Sequence, residues 1–273
     1  MQLKAKTIEV NRHRLNIFEN EIGAGKPTFV FLSGMGIGAA YYDFYRLTEE
    51  LSDYHLVLVD LLGHGLNIQG QAFTERNATN IQAELAEVLK NYAGENTAVV
   101  AHSFMGVYLN LLLQNNRPKL GGLVFIDPTV PAALLNQPAA IQSGLTEAQA
   151  AQKLHRQGQP LPRPDADLDP ALPEGLAQAA QELYLSTSGS ALEINELENA
   201  LATARLAQDL TIPANYPTLN FMSSLNHRDY LNFGNPYFNE QERSAAVLLN
   251  GHHFLHWLHP RFMAASITNF LAH

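Results

Sequence analysis

The sequence predicts an α/β fold: a mostly parallel, twisted sheet flanked by helices and interrupted by an inserted helical segment. Three observations point to it. Over residues 1–127, apolar runs of strand length alternate with longer stretches whose apolar residues recur at helical spacing. That rhythm stops from Pro128 to about Asn215, a segment rich in alanine, glutamine and leucine with five prolines between Pro160 and Pro173. It resumes from residue 216 to the end, so 1–127 and 216–273 read as two parts of one core, with 128–215 as a helical cap between them. At 273 residues, 46% of them hydrophobic, the chain is long enough to bury a large core.

In the first part, Arg14 to Asn20 reads as an early strand, Thr28 to Leu32 as a buried one and His55 to Asp60 as another. Tyr41, Phe44, Leu47 and Leu51 mark a helix between the last two. Thr79 with Gln82 forms a capping box, after which Ile81, Leu85, Val88, Leu89 and Tyr92 share one helix face until Gly94 ends the run. Ala98 to Ala101 is the next strand. Phe104, Val107, Tyr108, Leu111 and Leu112 then form a helical stripe, closed by Pro118 and the Gly121, Gly122 pair before the apolar run Leu123 to Ile126.

Within the insertion, Thr146 with Gln149 suggests one helix cap, Leu176 to Tyr184 a second helix and Leu192 to Leu210 a third, as in a lid. Strand signals return at Thr218 to Met222 and Ala245 to Leu249. Pro260 to Leu271 reads as a closing helix with proline in its first turn.

Charge and composition narrow the function. A formal net charge of -9 and a pI of 5.6 repel phosphate backbones and anionic membrane surfaces, so no nucleic-acid partner is expected. The absence of cysteine removes disulfides, thiolate chemistry and cysteine metal sites. No apolar run approaches membrane-spanning length, and Lys4 and Lys6 are not followed by a signal-type apolar stretch; a cytoplasmic protein without a membrane span is the expectation.

Four short segments hold residues suited to chemistry. Ala101, His102, Ser103, Phe104, Met105, Gly106 places a serine where a strand gives way to a helix. Leu32, Ser33, Gly34, Met35, Gly36 is a glycine-rich turn after a buried strand, without the spacing or the lysine of a phosphate loop, so no nucleotide or other cofactor is expected. Asp60, Leu61, Leu62, Gly63, His64, Gly65, Leu66, Asn67 is a third, and Leu248, Leu249, Asn250, Gly251, His252, His253, Phe254, Leu255, His256 a fourth. A serine hydroxyl is a poor nucleophile until a base takes its proton, and an imidazole near its ordinary pKa takes and returns protons at neutral pH.

The order of these segments and of the elements around them resembles the α/β-hydrolase family over essentially the whole chain. The resemblance implies Ser103 as nucleophile, the Met35 and Phe104 N–H groups as oxyanion donors and His253 as general base, with His252 the second candidate if the alignment slips by one. The Asp60 segment braces the fold in relatives, so Asp60 and His64 are expected to hold a loop. Family members keep a small residue two places after the nucleophile, where this chain has Met105. His252 and His256 also stand at a zinc-binding i, i+4 spacing, but the position that needs glutamate is His253, and no metal is expected.

The orienting acid has more than one candidate. Most relatives carry it a few residues past the strand that is here Thr218 to Met222, and that slot holds Asn226. Asp127, which closes Phe125, Ile126, Asp127 ahead of Pro128, is the expected acid, as in some lipases and dehalogenases of this fold. Asp229 is the alternative, and a triad without a true acid the third reading. The implied activity is carboxylesterase-like serine hydrolysis of a small or medium, mostly uncharged ester. The same triad also serves amide or carbon–carbon bond hydrolysis or a lyase reaction, and the fold also serves as a non-catalytic ligand-binding or receptor protein.

Overall fold

Strands that are apolar on both faces need helices above and below them, and that demand organises this molecule. The computed structural model describes residues 3–10, 13–22, 25–36, 38–67, 74–162 and 168–272. Its strands are β1 (Leu3–Val10), β2 (His13–Asn20), β3 (Thr28–Leu32), β4 (His55–Val59), β5 (Gly94–His102), β6 (Leu120–Ile126), β7 (Thr218–Ser223) and β8 (Ala245–Leu249). They form one sheet in the order β1-β2-β4-β3-β5-β6-β7-β8, antiparallel from β1 through β4 and parallel from there on.

Helices α1 (Ala40–Asp43) and α2 (Tyr45–Glu50) follow β3, α3 (Ala78–Tyr92) follows β4 and α4 (Met105–Asn115) follows β5. Between β6 and β7 the chain makes α5 (Pro131–Asn136), α6 (Ala139–Arg156), α7 (Glu174–Thr187) and α8 (Ala191–Ala207); α9 (His227–Phe233), α10 (Leu255–Leu258) and α11 (Pro260–Ala272) complete the fold. The strand period of two sends Val30, Leu32, Val99 and Ala101 to the face covered by α3, α4 and α8. It sends Phe29, Phe31, Ala98 and Val100 to the face covered by α1, α2 and α11. Each such valine, leucine or phenylalanine stabilises the fold by about 2 kcal/mol on burial, several times the contribution of an exposed pair such as Lys4 with Glu21. The two-sided core therefore dictates the sheet. No helix among the described residues is long and apolar enough to cross a membrane.

The structure departs from expectation at several boundaries. β1 carried no sequence signal because it is an edge strand, mostly exposed, whose lysines face solvent. The helix over Tyr41 to Leu51 divides at Phe44, whose ψ of 9° leaves the helical range. Asn77, rather than Thr79, caps α3 by accepting the Asn80 N–H at 3.0 Å. Gly121 and Gly122 lie inside β6, which pairs with β5 from Leu120 onward. Thr146 sits within α6, its hydroxyl spent on the Gln142 carbonyl one turn back, so it caps nothing.

The loop after β4 ties the insertion to the core. Asp60 Oδ1 accepts the Ala40 N–H at 2.7 Å and Oδ2 the Leu66 N–H at 3.1 Å, while Asn67 bonds the Asp60 and Asn16 backbones. Buried His64 meets buried Glu196 of α8 at 2.7 Å. Both Asp60 and His64 thus brace structure.

Candidate active site

The parallel strands end together along one edge of the sheet, and their C-terminal ends hold the reactive groups. Between β5 and α4, Ser103 has a φ of 58°, and beyond β6 Asp127 has a φ of 41°; among the described residues these are the non-glycine positions in the left-handed region. Such backbones cost of order 1–3 kcal/mol each and persist only where surrounding bonds impose them. Those bonds are present. The Ser103 N–H donates to Ile126 O at 3.1 Å, the Thr129 N–H to Ser103 O at 3.2 Å and the Asp127 N–H to Phe221 O at 2.7 Å.

A glycine makes room for this turn on each side. A Cβ on Gly34 would stand 3.0 Å from Ser103 Cβ, so a side chain in the turn after β3 would force the serine to shift. A Cβ on Gly106 would meet Pro128 at 3.0 Å and Tyr237 at 3.1 Å, which puts the closest approach of α4 at residue 106. Met105 opens the helix with its side chain in the core and does not prevent the turn.

His253, in the turn after β8, stands 2.7 Å from Ser103 Oγ through Nε2 and 2.7 Å from Asp127 Oδ2 through Nδ1. Asp127 is fully buried. Its Oδ1 accepts the Ser223 N–H at 2.8 Å, and its Oδ2 also accepts the Ser223 hydroxyl at 2.9 Å and the Asn226 amide at 2.6 Å. Burial raises the Asp127 carboxyl, but the hydrogen bond and charge of His253 with the two Ser223 donors outweigh it and hold the group below its ordinary value. Burial lowers the His253 imidazole, and the Asp127 contact only partly offsets this, so the ring is neutral at pH 7 and free to accept a proton.

The other candidates fall elsewhere. His252 is exposed and its Nδ1 accepts the Phe254 N–H. Asp229 lies in the first turn of α9, and no hydrogen bond joins it to His253 among those of the described residues. Asn226 occupies the slot expected for the acid, yet acts there as a donor to Asp127. Met35 lines the cavity beside Ser103, and neither its N–H nor that of Phe104 is bonded to another described residue. His256 is buried on α10, whereas His252 is exposed, and His256 Nε2 bonds Asp43 Oδ1 at 2.9 Å.

Asp43 and His102 make a second buried cluster that the motifs did not reveal. The His102 Nε2–H donates to the His253 carbonyl at 3.2 Å, and its Nδ1 lies 3.6 Å from Asp43 Oδ2. Burial pushes the Asp43 carboxyl up, but His256 and His102 overcome it and hold it well below the usual range. Neither Ser223 nor Asp43 carried a signal in the sequence, because a lone serine at a strand end and a lone acid in a helix turn are common and only long-range pairing gives them partners.

Ser103 and His253 open into a cavity of about 350 Å³, of the size that holds a small organic ligand. Tyr42 and Trp257 line it from the core, and Leu172, Leu183 and Leu197 from the insertion. Asp169 and Glu193 stand among these apolar groups.

Known proteins share this architecture. A family model described as the alpha/beta hydrolase family matches residues 29–267. An epoxide hydrolase from Vigna radiata aligns over 99% of this chain and 98% of its own with a TM-score of 0.71 and 18% identity. Epoxide Hydrolase A from Mycobacterium thermoresistibile aligns over the same shares with a TM-score of 0.69 and 17% identity. The Uncharacterized protein YbdG of Bacillus subtilis (strain 168) is 23% identical over 130 residues, 47% of this chain and 39% of YbdG, so the match spans well under half of that relative. At these identities the structural likeness is one of fold. The match across most of the sequence places this chain in the alpha/beta hydrolase family.

Proposed function

We propose that this protein is a serine hydrolase that cleaves carboxylic esters of small or medium acids through an acyl-enzyme on Ser103. The observation that carries the reading is the continuous chain from Ser103 Oγ through His253 to buried Asp127, with both contacts at 2.7 Å. His253 Nε2 takes the Ser103 proton as Oγ attacks the ester carbonyl carbon, and the carbonyl oxygen becomes an oxyanion. The Met35 and Phe104 N–H groups receive that charge, and one such donor contributes about 3 kcal/mol to catalysis. The tetrahedral intermediate then expels the alcohol, which leaves with the proton from His253. Water attacks the acyl-enzyme, gives its proton to His253, and the acid departs as the proton returns to Ser103. Asp127 stays ionised throughout, fixes the tautomer and stabilises the imidazolium. The helices of 128–215 serve as the cap that closes over the substrate and selects it.

The epoxide chemistry named for the structural neighbours does not fit a serine at this position. An alkoxide that opened an epoxide would leave an ether on Ser103, and an ether has no carbonyl through which water and an oxyanion hole release it. An ester substrate gives an acyl group that the same base and donors remove.

The test is covalent labelling with a fluorophosphonate probe, paired with hydrolysis of p-nitrophenyl esters of increasing acyl length. The expected result is labelling at Ser103 in the folded protein and ester turnover that disappears in Ser103→Ala. Unlabelled Ser103, or full turnover in the variant, overturns the reading.

A further inference from the structure

His253 lies in the irregular turn between β8 and α10, yet its Nε2 meets Ser103 Oγ at 2.7 Å. Asp127 bonds the other ring nitrogen, and a bond to Nδ1 does not by itself fix the main chain that bears the ring. Backbone in turns is ordinarily the more mobile part of a fold. On one side of the base the Gly251 N–H donates to Ser224 Oγ at 3.0 Å, and on the other the Trp257 N–H donates to Phe254 O at 3.1 Å. At His253 itself, the carbonyl accepts from His102.

His102 is the last residue of β5 and is 2% exposed. Its Nε2 lies 3.2 Å from the His253 carbonyl oxygen, and because a carbonyl only accepts, Nε2 carries the hydrogen. The two rings pack with centroids 4.7 Å apart, and Phe254 packs on the same imidazole at 5.1 Å. His102 directly precedes Ser103, so this bond ties the main chain of the base to the strand end that carries the nucleophile. Asp43 at the end of α1 holds the cluster together. Its Oδ2 lies 3.6 Å from His102 Nδ1, its Oδ1 accepts the His256 Nε2–H at 2.9 Å, and its carbonyl accepts the Trp257 Nε1–H at 2.9 Å. β5, α1 and the segment that follows the base therefore meet at one acid.

Burying a carboxylate between imidazoles is harder than packing apolar side chains of the same volume. Packing alone does not call for it here, since Phe44 beside Asp43 already packs on Phe31 of β3 at 5.2 Å. What the polar cluster adds is geometry. Nucleophile and base are joined through their side chains and again through the backbone. We infer that His102 is a positioning residue for the base, fixing the main chain that carries His253 while Asp43 holds His102 in turn. This rests on the serine-hydrolase reading for the role of His253, whereas the bond itself is independent of the reaction.

Two substitutions separate positioning from filling space: His102→Leu removes the donor, and His102→Gln returns an N–H donor on a side chain of similar reach. With a chromogenic ester, His102→Leu is expected to lower kcat roughly a hundredfold, as a misplaced reacting group does, with KM changed by no more than about twofold. His102→Gln is expected to lose less than about tenfold. Equal kcat in the two variants, or a leucine variant within about threefold of the parent, overturns the inference. If the leucine chain does not fold, His102→Phe, which keeps a ring against His253 without a donor, takes its place with the same readings. The proton between His253 Nδ1 and Asp127 gives a readout that needs no substrate. Its downfield NMR resonance is expected to persist in His102→Gln and to broaden or vanish in His102→Leu; a resonance unchanged in both overturns the inference. Fluorophosphonate labelling of the unaltered protein tests the ester reading separately: no label on Ser103 together with that resonance pattern removes the ester reading and leaves the positioning role standing.

Discussion

On the sheet side of the cavity, Ser103, His253 and Asp127, which follow β5, β8 and β6, are joined at 2.7 Å across the ends of three different strands of one sheet. On the insertion side, Leu183 and Leu197 line the cavity from helices that connect β6 to β7. The first wall has its geometry fixed before any ligand arrives, as chemistry that depends on tenths of an ångström requires. The second is built mainly of apolar side chains from the insertion. On the proposed serine-hydrolase reading, reaction and specificity are divided between two parts of the chain, and one fold can carry different substrates by changing the second while the first stays.

That division can be broken or sharpened by mutation. The largest effect belongs to the sheet wall: Ser103→Ala is expected to lower kcat by about a million-fold, read with a chromogenic ester, because nucleophile and base act as a unit. Asp127→Asn should cost about ten thousand-fold in kcat through loss of the correct imidazole tautomer. Asp229→Asn in parallel should stay near the parent, and the reverse pattern would move the acid to α9. Gly34→Ala adds a Cβ 3.0 Å from Ser103 Cβ and should displace the serine enough to reduce kcat roughly a hundredfold while thermal unfolding changes little.

The insertion wall should answer differently. Leu183→Ala removes apolar contact with bound and reacting substrate alike, so KM should rise about tenfold with kcat nearly unchanged; a loss in kcat instead would make α7 part of the reacting machinery. The smallest effect is a displacement along the pH axis. Protonated His253 cannot accept the Ser103 proton, so kcat/KM falls as pH drops through the imidazole pKa, which burial places below its ordinary 6.5. An acidic limb centred above pH 7 in the measured profile would contradict that environment.

Much of the fold was legible because two-sided burial writes apolar runs into β3, β4, β5 and β6, and because α3 and α4 carry a clear apolar stripe. Edge strand β1 and short helices α9 and α10 were not, since little of their pattern is set by a core face. At the site, Ser103 and His253 stood in motifs with local spacing. Ser223, Asn226 and Asp43 act on partners far along the chain, as with Asn226 and Asp127 at a separation of 99, and no local pattern records that.

The sequence by itself determined the α/β class, the place of the insertion and the residues on the β5 and β8 turns that meet as Ser103 and His253. It left the acid open between Asp127 and Asp229, because both follow strands that end at the same edge. Only the tertiary structure brought Asp127 Oδ2 against His253 Nδ1, with Ser223 and Asn226 filling its remaining acceptor positions, and turned Asp169 into a cavity wall. The reason is physical: periodicity encodes which face a residue buries, but the partner it meets there depends on sheet order and on the crossover of helices between β6 and β7.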